Sequence, residues 1–408
     1  MKQIDLPAGN SPGLKDAACI CVPFPGRKAV TAAGLSLLVL FGLMFFTATA
    51  QPAKQVSDPQ ATAQTKALFQ NLHSHMAKGV LVGHQDDLAY GVGWQYQPGR
   101  SDIKDVTGDY PAVFGWELGN LELDLPKNLD GVPFDSMRQY IQFGRSNGAI
   151  ITVSWHLHNP LTGASAWDPA RGTVASLLPG GEKHALYNQW LDKLAVFFAS
   201  LKDADGQPVP VIFRPYHEWN GDWFWWGKSH CSSEDFKALF RHTVLYLRQQ
   251  KKLHHLLIAF NPDRFASEAD YLDRYPGDDV VDVVGFDIYQ RDSDHAKFVN
   301  DVHHMLDMLT AIANKHGKIP AITEFGYNRI PYDEWWTRAL LPAISKHQLA
   351  WVLAWRNAGL KPDGETEFFM PYKGHASAPD FQRFYEAPQT LFLREAAALH
   401  YYHQDPKH

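Results

Sequence analysis

The sequence predicts an α/β protein folded as a single (β/α)8 TIM barrel, and three observations carry the prediction. Short apolar runs recur at residues 80–83, 112–115, 150–155, 209–216, 256–260, 280–288, 319–323 and 351–355, each reading as a strand buried on both faces. Helical stretches lie between them, around residues 138–146, 185–201, 235–250, 297–316 and 332–347, with a last helix ending near Ala398. No Gly-rich phosphate turn follows the first run, so a closed barrel fits better than an open doubly wound sheet.

Ahead of the barrel, Arg27-Lys28, an apolar run at 29–46 and an Ala-x-Ala pattern ending at Ala50 have the order of a secretory signal peptide over residues 1–50. A secreted or periplasmic protein is the expectation. The run is also long enough to make an uncleaved membrane anchor at 29–46 the alternative. Residues 51–60 are polar and read as a loose linker, leaving 61–408 as one barrel domain. A chain of 408 residues that is 45% hydrophobic can bury a large core without disulfides, and only Cys231 of its three cysteines lies beyond the leader. The net charge of -6 and the absence of basic runs argue against nucleic acid and anionic membranes as partners.

In a barrel of this kind the working side chains sit at the C-terminal ends of the strands. The first run ends in Gly83-His84-Gln85-Asp86-Asp87, the second in Trp116-Glu117, and the third in Trp155-His156-Leu157-His158. The fourth passes through Arg214 and Tyr216 to His217-Glu218 and then to Trp223, Phe224, Trp225 and Trp226. Asn261-Pro262-Asp263 follows the fifth, Asp287-Ile288-Tyr289 the sixth, Glu324-Phe325 the seventh and Trp355-Arg356-Asn357 the eighth. Flat aromatic walls beside a carboxyl suit the faces of sugar rings.

Breaking a glycosidic bond takes one carboxylic acid to protonate the leaving oxygen and one carboxylate to attack the sugar or activate water. Glu218 and Glu324 fit these roles from opposite sides of a barrel mouth. Asp86, Asp87, Glu117, Asp263 and Asp287 compete with them, and any of these can be a structural acid paired with Arg214 or Arg356. Spacing does not choose the pair. Arg214 itself can either reach Glu218 from below or satisfy a core carboxylate. Two rival readings stand beside the glycosidase: a metal-dependent barrel hydrolase using His156 and His158, and a sugar-binding protein that has lost catalysis. The His-x-His pair of metal-dependent amidohydrolase barrels follows the first strand, whereas this one follows the third, and it runs into Asn159-Pro160, which reads as a turn.

RPYHEWNGDWFWWG around Glu218, GHQDDLAYG at 83–91, SWH at 154–156, ITEFG at 322–326 and AWRN at 354–357 resemble the family 26 glycoside hydrolases. These are mainly β-mannanases, in the clan of retaining (β/α)8 glycosidases. The resemblance runs from about residue 60 to 400. It implies a retaining hydrolase of β-1,4-mannosidic bonds in mannan, galactomannan or manno-oligosaccharides, with Glu218 as general acid/base, Glu324 as nucleophile and no metal or cofactor. It further implies that His217 sets the charge and position of the site and that Tyr289 hydrogen-bonds the nucleophile. By the same resemblance His156 and Trp223 line the subsite of the attacked sugar over a floor formed by Trp355, while Arg356 holds the next sugar with Phe325 at its edge. β-1,3-Xylan and mixed-linkage β-glucan are the alternative substrates within the family. Internal cleavage and release of mannobiose from an end both stay open, and a monomer is expected.

Overall fold

The protein is described by a computed structural model, which covers residues 54–361 and 364–404. These all lie within one compact unit, Ala50–His408. The leader expected at 1–50 and the anchor alternative at 29–46 lie outside the described residues. Among the described residues no helix is long and apolar enough to cross a membrane.

Eight parallel strands form the barrel: β1 Val80–Gln85, β2 Val113–Glu117, β3 Ile150–Trp155, β4 Val211–Pro215, β5 Leu256–Phe260, β6 Val283–Gln290, β7 Ile319–Tyr327 and β8 Trp351–Ala354. Each pairs with its sequence neighbour, and β8 closes on β1 with Leu81 opposite Trp351. Side chains alternate along each strand, and this alternation divides the apolar residues into two packed layers. Leu81, Val113, Ile150, Ile212, Leu257, Val283, Ile319 and Trp351 share the inner layer, while Val82, Phe114, Ile151, Phe213, Ile258, Val284 and Val352 face the surrounding helices.

The longer helices are α1 Ala63–His75, α2 Phe134–Ser146, α3 His184–Ser200, α4 Ser233–Leu245 and α5 His295–His316. α1 has no counterpart among the sequence-predicted elements. Thr62 caps it by accepting the Thr65 N–H, and its Leu68, Phe69 and Leu72 join the inner layer of the barrel. The stretch expected as one helix at 332–347 is instead a wide turn, Trp336–Leu340, running into Leu341–Ile344. Pro342 explains the break, because it lacks the N–H that a regular turn would use and its ring crowds the preceding carbonyls.

The segment expected as a loose linker is also docked where it is described. The Ser57 N–H donates to Asp282 Oδ1 (2.6 Å), and buried Asp58 pairs with His254 (2.8 Å). Polarity alone pointed to a solvated segment, whereas these polar atoms bind protein partners instead of water.

The strand ladders on the two sides of β7 share an irregularity. Along β6 and β7 the register runs Phe286 with Ile322 and then Asp287 with Glu324, so Thr323 is an extra residue in β7. The same shift recurs against β8, where Val352 pairs with Ile322 and Ala354 with Phe325. A bulge of this kind re-aims every side chain beyond it.

Candidate active site

The C-terminal mouth of the barrel opens into a cleft of about 830 Å³, lined on one side by His156, Trp167, Trp223 and Phe224 and on another by Tyr289, Trp355 and Phe369. Trp167 and Trp223 keep 49% and 38% of their surface exposed, so their ring faces are available to a ligand.

The bulge at Thr323 turns Glu324 inward at the end of β7. There it accepts a hydrogen bond from the Arg214 guanidinium of β4 (2.7 Å) and another from the Tyr289 hydroxyl of β6 (2.9 Å). Of the two roles the sequence left open for Arg214, the structure selects this buried carboxylate. Glu218, just past β4, accepts the Trp223 indole N–H (2.7 Å). Burial first, then the Glu324 charge and Asp263, hold the Glu218 carboxyl well above its ordinary pKa, against the Trp223 bond and Arg214. That direction suits Glu218 to donate a proton. Beneath them Asp287 takes hydrogen bonds from Asn261 (2.9 and 3.0 Å) and Thr323 (2.7 Å), and burial with the Glu324 charge raises its pKa well above the ordinary value. One carboxyl oxygen from each of Glu218, Asp287 and Glu324 lies within 4.8 Å of the other two.

A second group of charges supports the wall. Glu117, at the end of β2, accepts from Ser154 Oγ (2.5 Å), the Gly119 N–H (2.6 Å), the His156 N–H (2.7 Å) and His156 Nδ1 (2.8 Å). Burial works to raise the pKa of Glu117, but the His156 charge and these bonds outweigh it and hold the carboxyl below its ordinary value. Burial likewise works against the His156 cation, and Glu117 outweighs it, so the His156 pKa is raised. His217 is held well below its ordinary value by burial, then by His156 and Arg214. The two rings meet Nε2 to Nε2 across 3.0 Å. The His156 ring stacks on Trp167 at 5.3 Å.

The Glycosyl hydrolase family 26 profile matches residues 57–355. The chain belongs to that family. It is similar to a GH26 β-mannanase from Bacteroides ovatus at 44% identity, with a TM-score of 0.79 over 84% of this chain and 100% of that one. The catalytic domain of a GH26 endo-β-1,4-mannanase from Bacillus sp. JAMB-750 superposes with a TM-score of 0.78 at 34% identity, over 85% of this chain and 95% of that one. The mannan endo-1,4-β-mannosidase of Bifidobacterium adolescentis is 33% identical over 89% of this chain, which spans only 38% of that longer relative.

Of the site residues read from the sequence, the family 26 cleft gathers Glu218, Glu324, His156, His217, Trp223, Tyr289 and Trp355. Phe325 is a correction. Expected at the edge of a sugar subsite, it is fully buried and packs on Trp335 (6.1 Å), because the bulge that turns Glu324 in turns its neighbour out. Arg356 lies beside the cleft wall, bound to Asp130 (3.2 Å) and to Glu367 (3.5 Å), which does line the cleft. His158 does not join His156, and its Nδ1 meets Glu122 instead (2.9 Å). Among the described residues the only His, Cys, Asp and Glu side chains close enough together to hold a metal are Glu218, Asp287 and Glu324. Within this group Glu324 is already bound by the Arg214 guanidinium (2.7 Å). Trp167 and Phe369 were missed. The only signal for either was an aromatic residue in a loop, which is common without function.

Proposed function

We propose that this chain hydrolyses β-1,4-mannosidic bonds of mannan or manno-oligosaccharides with retention of anomeric configuration. Glu218 gives its proton to the leaving oxygen while Glu324 attacks the sugar carbon and forms a glycosyl ester. Glu218, now a carboxylate, takes a proton from the water that opens the ester. The observation that carries this reading is the close approach, within 4.8 Å, of one carboxyl group whose pKa is raised by burial and one bound by a guanidinium. Retaining glycosidases hold this pair about 5–5.5 Å apart, whereas an inverting enzyme leaves space for a water of about 6.5–9.5 Å. Arg214 and Tyr289 orient the attacking oxygens of Glu324, and His156 lines the cleft the sugar would enter. Mannan as substrate is supported by the relatives named as β-mannanases.

Three measurements test the reading. Proton NMR during hydrolysis of mannohexaose should show the β-anomer of the new reducing end first; the α-anomer first would indicate inversion. Faster turnover of β-1,3-xylan or mixed-linkage β-glucan than of mannan would transfer the chain to another specificity within the family. Glu218→Ala should lose about 10²–10⁴-fold on mannan, while a dinitrophenyl β-mannobioside should still react in the first step, because its leaving group needs no proton.

A further inference from the structure

The segment from Arg214 to Glu218 serves both carboxyl groups at once. Arg214 reaches inward to Glu324, and Glu218 faces the same group across the cleft. Between them the backbone enters the left-handed region twice, at Tyr216 (φ 52°) and at Glu218 (φ 52°). A residue carrying a Cβ is disfavoured there and stays only where its surroundings hold it. Glu218 is held by its N–H on the Asn261 carbonyl (2.9 Å) and by Trp223.

Tyr216 is held from the far side of the barrel wall. Its ring is buried against Trp225, Trp226 and Phe236, and its hydroxyl meets Tyr187 of α3 and Thr243 of α4. Thr243 Oγ1 is 2.9 Å from the Tyr216 hydroxyl and 2.6 Å from that of Tyr187, and the two phenols are in direct contact. The Thr243 hydroxyl donates its own proton to the Leu239 carbonyl (2.9 Å), so it accepts from the tyrosines. Two phenolic protons then serve three neighbouring oxygens, and deleting any one oxygen removes a partner from a buried phenol. Phe and Val would fill the same space with no polar group to desolvate, so simple packing of helix on barrel does not account for three hydroxyls.

We propose that Tyr187 and Thr243 are positioning residues for Glu218, acting through Tyr216 to fix the left-handed turn that aims the acid at the leaving oxygen. The proposal rests on Glu218 being the proton donor. Neither residue lines the cleft, so their effect reaches the substrate only through the position of the acid.

The test uses Tyr187→Phe, Thr243→Val and Thr243→Ser in the full chain, assayed on mannotetraose and on a dinitrophenyl β-mannobioside. For Tyr187→Phe and Thr243→Val, kcat on mannotetraose should fall about ten-fold, a fraction of what a placed general acid contributes, with KM within about two-fold. The first step on the activated aryl substrate should stay within about two-fold, because that leaving group departs without a proton. Thr243→Ser keeps the oxygen and should restore the rate on mannotetraose. Equal losses on both substrates, unchanged rates with only a lower melting temperature, or Thr243→Ser as slow as Thr243→Val would overturn the proposal. Should Tyr187→Phe not fold, the two Thr243 variants decide alone. A mistaken donor assignment shows separately, as Glu218→Ala equally slow on both substrates, and would remove the proposal with it.

Discussion

Glu218 keeps its proton through a balance that can be shifted in either direction. Burial, the Glu324 charge and Asp263 oppose its ionisation, while the Trp223 N–H and Arg214 favour it. Turnover needs protonated Glu218, so activity is present below its raised pKa and is lost as pH rises through it. Asp263→Asn removes a negative neighbour, which lowers that pKa and should bring the alkaline fall of kcat/KM to lower pH. Trp223→Phe removes a donor to the carboxylate form and should move the fall to higher pH. A pH profile of each variant checks the pair, and movement in the same direction would contradict the balance. Glu218 and Glu324 were legible because each ends an apolar run. The raised pKa of His156 was not legible, since it depends on Glu117 from another strand.

At the scale of elements, apolar runs identified all eight strands, because a parallel barrel buries both faces of each. What the runs could not register is the one-residue shift at Thr323, since an inserted residue leaves hydrophobicity unchanged while reversing every side chain beyond it. That shift accounts for both the success at Glu324 and the failure at Phe325. Deleting Thr323 would leave a regular strand with the same pairings beyond it, Ile322 facing outward, Glu324 inward opposite Asp287 and Phe325 outward. The expected outcome is a lower denaturation midpoint, because the strand loses a residue and the hydroxyl donor to Asp287, with hydrolysis retained. Thr323→Ala isolates the part of that loss due to the hydroxyl. It keeps the inserted residue but removes the hydroxyl donor to buried Asp287 (2.7 Å), so it should cost about 1–3 kcal/mol of stability while hydrolysis with retention persists.

Across the whole molecule, chemistry and stability occupy opposite ends of the barrel. The carboxyl pair, His156 and the aromatic walls all sit at the C-terminal mouth, where strand ends and loops can vary without disturbing the inner apolar layer. At the other end α1 seals that layer with Leu68, Phe69 and Leu72, each almost fully buried. No strand alternation announces such a plug, and the apolar residues of 63–75 form only a weak helical stripe, which is why the barrel was legible and its closure was not. The separation makes a quantitative demand. Phe69→Ala empties an aromatic-sized volume in the inner layer and should lower unfolding free energy by about 3–5 kcal/mol, read as a shift in denaturant midpoint. Below that midpoint kcat on mannan should stay within about two-fold of the parent, because the nearest group the chemistry uses lies a full strand length away. A loss of kcat matching the loss of stability would mean that strain travels the length of the barrel to Glu218 and Glu324, and that the two ends are not independent.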